Sequence, residues 1–167
     1  MPITLYPWVV YIHVLGAFIF MLAHGASFMV VFKLRGERDL ERIKALLELS
    51  TYSLNLRYAS LGVLFLAGII AGFMGNWCGK LWIWSALGLL IAIMVAMYYL
   101  GSAYYNQQVR KSVGLPYFIG SKAQLATDPA SPEEIARLLS SSRPVLLTVI
   151  GIGGIALILW LMLFKPF

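Results

Sequence analysis

Trp8–Phe32, WVVYIHVLGAFIFMLAHGASFMVVF, is the stretch that decides the fold. Its 25 residues include no Lys, Arg, Asp or Glu. As a helix rising 1.5 Å per residue it runs about 37 Å, enough to cross a hydrocarbon layer of about 30 Å with some tilt. Both histidines of the chain, His13 and His24, lie inside it. Their separation of eleven residues turns a helix through about 1100°, three turns plus about 20°. The two imidazoles therefore share one face, about 16 Å apart along the axis. An ionisable side chain at membrane depth is costly, so each marks a site that needs a partner.

Working outward, three further apolar runs follow, at about 56–74, 81–105 and 144–164. Hydrophobic residues make up 60% of the 167 and charged residues 12%. A soluble domain is about half apolar and a quarter charged. The expected fold is all-α: one integral membrane domain over residues 1–167, an up-down four-helix bundle. The first run lacks a basic segment before it and a small-residue cleavage site after it, so it reads as a retained helix rather than a signal peptide.

The net charge of +6 resolves once it is mapped. Lys33, Arg35, Arg38, Arg42, Lys44 and Arg57 follow the first run, and Arg110, Lys111, Lys122, Arg137 and Arg143 follow the third. That leaves Lys80 and Lys165 of the thirteen basic residues on the other side. The positive-inside rule then predicts an N-out, C-out protein of the bacterial inner membrane. The same balance favours anionic lipid rather than nucleic acid, because no basic surface interleaved with aromatics accompanies it.

Between the runs, residues 38–54 carry Leu40, Ile43, Leu46, Leu47 and Leu54 at helical spacing, with Arg38, Glu41, Arg42, Lys44 and Glu48 opposite. They read as an amphipathic helix in the inner interface or capping the bundle. Residues 132–142 read as a second one. Ser131-Pro132-Glu133-Glu134 places a capping Ser, a Pro at the first helical position and a Glu three residues after the cap. Gly68 and Gly72 in the second run, and Gly88, Ala92 and Ala96 in the third, form small-residue stripes for close helix packing. Such stripes serve a monomer or a homo-oligomer equally well. Trp77, Trp82 and Trp84 suit the outer aromatic belt, and Tyr98, Tyr99, Tyr104 and Tyr105 the inner one.

Two histidines and one cysteine, Cys78, cannot furnish a bare zinc or copper centre. Either imidazole can simply lock packing through a carbonyl or a hydroxyl. The functional reading is haem, which needs only one or two axial ligands. No second His is available on another helix, so bis-His ligation within one chain is excluded. Counting depth from each outer boundary, the long side chain of Lys80 reaches the level of His13, and Met97 matches His24. His with Met is a known haem pair. Met97 can equally be a gap filler and Lys80 a headgroup-facing cation.

The segments Tyr11-Ile12-His13-Val14, Gly79-Lys80-Leu81 and Arg143-Pro144 through Phe164-Lys165-Pro166-Phe167 resemble the HemJ-type protoporphyrinogen oxidases. More broadly, His13-Val14-Leu15-Gly16-Ala17 and Ala23-His24-Gly25 resemble small four-span bacterial membrane proteins akin to HemJ and to the CopD proteins. The resemblance implies a four-span bundle holding b-type haem through His13 and Lys80. His24 then becomes an inner-half site, either a second cofactor ligand or a hydrogen-bond donor to quinone. The expected role is electron transfer or haem-linked oxidoreduction with quinone. The competing expectation is a non-enzymatic accessory subunit of a respiratory or photosynthetic membrane complex.

Overall fold

The structure is a computed structural model and describes residues 5–167, apart from the side chain of Tyr104. Four helices are long and apolar enough to cross a membrane. Helix α1 is Tyr6–Leu34 and α2 is Leu40–Met74. A tight turn through Trp77–Gly79 leads into α3, Leu81–Ser112. A small antiparallel hairpin follows, β1 Tyr117–Ile119 with β2 Lys122–Gln124, pairing Phe118 with Ala123. Helix α4 is Pro132–Leu139, and α5 occupies residues 143–164. Helix α1 lies along α2, and α3 packs on α5. The bundle thus has a turn end, at Trp77, and a hairpin end.

The amphipathic segment 38–54 and the apolar run 56–74 are one continuous helix. At 35 residues α2 is about 52 Å long, well beyond a hydrocarbon layer. Asp39 starts it, accepting the N–H groups of Glu41 at 2.9 Å and Arg42 at 3.2 Å. The apolar face of its first half is buried against the rest of the protein, the capping arrangement of the two expected. Ile43 and Leu47 are buried with Val30, Leu34, Tyr105, Val109, Val113, Ile135 and Leu139 in a core at the hairpin end. Arg110 clamps the same region, reaching Glu48 at 3.2 Å and the Pro116 carbonyl at 2.7 Å. Helix α4 closes it from below, its start fixed as the sequence indicates by Ser131 Oγ accepting Glu134 N–H.

Tyr98 and Tyr99 are exposed, as a belt requires, but Tyr105 is only 5% exposed and belongs to the core. The cause lies in α3 itself. Met97–Asn106 winds in wider π-helical turns, which rephase the faces on either side. A second wide segment, Val149–Gly153, interrupts α5.

Between the helices, many buried positions are small, among them Gly16, Ala23, Ala67, Gly72, Ala86 and Gly151. A Cβ on Gly16 would stand 3.1 Å from the Leu64 backbone nitrogen, and one on Gly72 would stand 3.0 Å from Ile83. The stripe on α2 is therefore used inside the chain. The stripe on α3 is not: Gly88 faces open space and Ala92 is exposed. Phe18, Leu22, Met29, Leu66 and Phe73 form an apolar exterior of the kind that lipid covers.

Candidate functional site

Two cavities open between the helices, and each contains one histidine. The turn-end cavity, about 370 Å³, is lined by His13, Gly68, Trp77, Trp82 and Lys165 among mostly apolar residues. The hairpin-end cavity, about 490 Å³, is lined by His24, Arg57, Met97 and Tyr105 among others. Both volumes fall in the range of small-molecule sites, roughly 300–1,000 Å³.

His13 is held by a hydrogen bond across the α1–α2 contact. Its Nδ1 lies 2.8 Å from the Leu64 carbonyl oxygen. A carbonyl only accepts, so Nδ1 is the donor, and in the neutral ring the lone pair then lies on Nε2. The ring fits a notch left by Gly68, where a Cβ would come within 2.8 Å of Cε1 and 2.9 Å of Nδ1. The side chain is thus an imidazole held by one nitrogen, with no hydrogen bond at the other among the described residues. A metal-ligating His is oriented in the same way, with its other nitrogen donating to a carbonyl or carboxylate.

Lys80 was the expected companion of His13, and the structure does not bring the two together. Lys80 caps α3 from an extended backbone, φ −103° and ψ 130°, and its side chain is exposed outside both cavity linings. The basic group in the His13 cavity is Lys165. Its left-handed backbone, φ 45° and ψ 57°, turns the chain back at the end of α5. Its ammonium stands 4.2 Å from the Trp77 ring centroid and 5.6 Å from that of Trp82, in reach of cation–π attraction. Trp77 is pinned in turn by donating its indole N–H to Tyr6 Oη at 3.3 Å. Depth counting overlooked Lys165 because it treats the residue as the end of a straight helix. The Lys-Pro pair closing an apolar run was the signal that the chain turns there.

His24 and Met97 do line one cavity, as depth counting along α1 and α3 expects. His24 is 6% exposed, stacked on Phe20 at 5.4 Å and edge-on to Phe28 at 4.6 Å. Phe20, His24 and Phe28 follow at intervals of four, so one helix face supplies the whole cluster. Gly151 of α5 stands opposite, where a Cβ would be 3.1 Å from Nε2. The Nδ1 atom of His24 has no hydrogen-bond partner. Arg57 was read from the sequence only as an orienting charge, yet it is the one charged residue lining this cavity.

Among the described residues, no three His, Cys, Asp or Glu side chains assemble as a holder for a bare metal ion. A porphyrin asks for less: an axial nitrogen, apolar walls and a cation for its carboxylates. The residues of the turn-end cavity fit those needs, with His13 Nε2 as the nitrogen and Lys165 as the cation. Comparison with family models, curated proteins and solved structures gives no match for this chain.

Proposed function

We propose that this chain is a bacterial inner-membrane protein, N-out and C-out, that binds b-type haem at His13 and exchanges single electrons with membrane quinone. The observation that supports the reading is the anchoring of His13 beside a cavity: Nδ1 is committed to the Leu64 carbonyl, so Nε2 is the nitrogen a ligand would use. Orientation rests on eleven of thirteen basic residues lying towards the hairpin end. Bound haem supplies a one-electron iron couple. The chain's own groups do the rest. Leu64 holds the imidazole plane and raises its basicity. Gly68 gives the ring its place, and Trp77 and Trp82 wall the turn end against water. Lys165 offers its ammonium to a carboxylate.

The test is the visible spectrum of the protein purified in mild detergent or loaded with hemin. A reducible Soret and α-band pattern, lost in His13→Ala and kept in His24→Ala, supports the assignment. Equal haem content in His13→Ala and the wild type would overturn it. The unpacked Gly88–Ala92 stripe favours a second reading, an accessory subunit whose α3 face meets a larger complex. A colourless chain migrating with larger partners on native gels would decide for that reading.

A further inference from the structure

We infer that the hairpin-end cavity is a binding site of its own, for a lipophilic oxyanion: an apolar body ending in a carboxylate or phosphate. Its walls are hydrocarbon and aromatic, with Phe28, Leu61, Leu90, Ile93 and Leu147 among them. Beside several Ser, Tyr and Asn side chains, this lining holds the Arg57 guanidinium, with no acceptor among the described residues, and the unpartnered Nδ1 of His24. Arg57 has five N–H donors and no acceptor, and its side chain stands 5.4 Å over the Tyr58 ring. The ion pairs Arg42–Asp39, Lys44–Glu41 and Arg110–Glu48 lie elsewhere and do not involve Arg57. His24, 6% exposed, keeps an unpartnered Nδ1 in the same lining. No Asp or Glu lines the cavity, so the chain itself supplies no counter-charge there.

A charge lining a mostly apolar cavity is stabilised when something pairs with it. The occupant must therefore bring oxygen acceptors on an apolar frame. A guanidinium matches carboxylate and phosphate with two parallel hydrogen bonds, and that fork favours an anion over a neutral carbonyl. Free fatty acids and acidic phospholipids share this chemistry. The site does not use His13, which lines the adjoining cavity beyond Phe20, Leu90 and Ile155.

The experiment measures binding of oleate, methyl oleate and dioleoylphosphatidylglycerol to the full-length protein in dodecylmaltoside, by calorimetry and native mass spectrometry. Oleate should bind one per chain, and methyl oleate at least tenfold more weakly. Arg57→Gln should weaken oleate at least tenfold, and Arg57→Lys should fall between, keeping charge but losing the fork. His13→Ala should bind oleate normally, which separates failure here from failure of the haem assignment. Competition by the phospholipid identifies a membrane lipid as the source, and its absence a free fatty acid; both uphold the oxyanion site. Methyl oleate binding as tightly as oleate would overturn the inference. So would unchanged binding in an Arg57→Gln protein of wild-type helicity, because Arg57 would then be only a headgroup-facing cation.

Discussion

Replacing Gly68 with Ala probes the His13 site without touching the imidazole. A Cβ there would stand 2.8 Å from Cε1 and 2.9 Å from Nδ1, whereas ordinary contact begins near 3.4 Å. The ring must retreat by about half an ångström, or α1 and α2 must part by as much. Metal–ligand distances tolerate only about 0.2 Å, so an iron held by His13 would be displaced beyond that tolerance. The 2.8 Å bond to Leu64 also stretches towards the limit of a hydrogen bond. Overpacking of this kind costs about 1–3 kcal/mol, and a hydrogen bond between membrane helices contributes about 0.6 kcal/mol. Loss of an orienting partner typically weakens metal binding 10–100-fold. Hemin titration in detergent, followed at the Soret band, should show a loss of that size, and unfolding in mixed dodecyl sulfate micelles should begin earlier. Gly62→Ala and Gly88→Ala are the controls, because both glycines face open space. They should leave haem binding alone and stabilise slightly through helix propensity, by up to about 1 kcal/mol. A Gly68→Ala protein indistinguishable from these controls would refute the wedged imidazole and the site built on it.

Lys165→Ala should lower hemin affinity several-fold more than Lys80→Ala in the same titration, since only Lys165 lines the His13 cavity; the reverse order would restore the pairing expected from depth. Leu139→Ala removes a fully buried side chain from the hairpin-end core and should cost about 2–5 kcal/mol in dodecyl sulfate unfolding, with little change at the Soret band. Asp39→Ala removes the cap of α2 and should cost about 1 kcal/mol in the same assay. The backbone N–H groups of Arg38 and Asp39 donate to the Glu37 carboxylate and hold its pKa below the usual 4.5. That stabilisation is present above pH 4.5 and fades as the pH falls through the lower folded value, so Glu37→Gln should flatten the acid limb of a stability–pH profile.

The helices were legible wherever composition alone forces the outcome. Uncharged runs of about 20 residues satisfy their backbone only as helices in an apolar medium, so the four long helices follow from counting. The Ser131 cap was legible because it is built from neighbouring residues, with Ser131 Oγ meeting Glu134 N–H. His24 and Met97 meet in one cavity because similar depth on two helices survives modest tilting. What the one-dimensional pattern did not carry is where each helix end turns. Lys80 and Lys165 read alike as cations at the outer boundary. An extended φ at one sends its side chain to the exterior, and a left-handed φ at the other brings its ammonium over Trp77. The fusion of segment 38–54 into α2 was also hidden, because an amphipathic face looks the same whether lipid or protein covers it. Helix formation and span number are local consequences of hydropathy. The partners of His13 and Tyr105 depend on contacts between residues distant in the chain, and packing alone chose them.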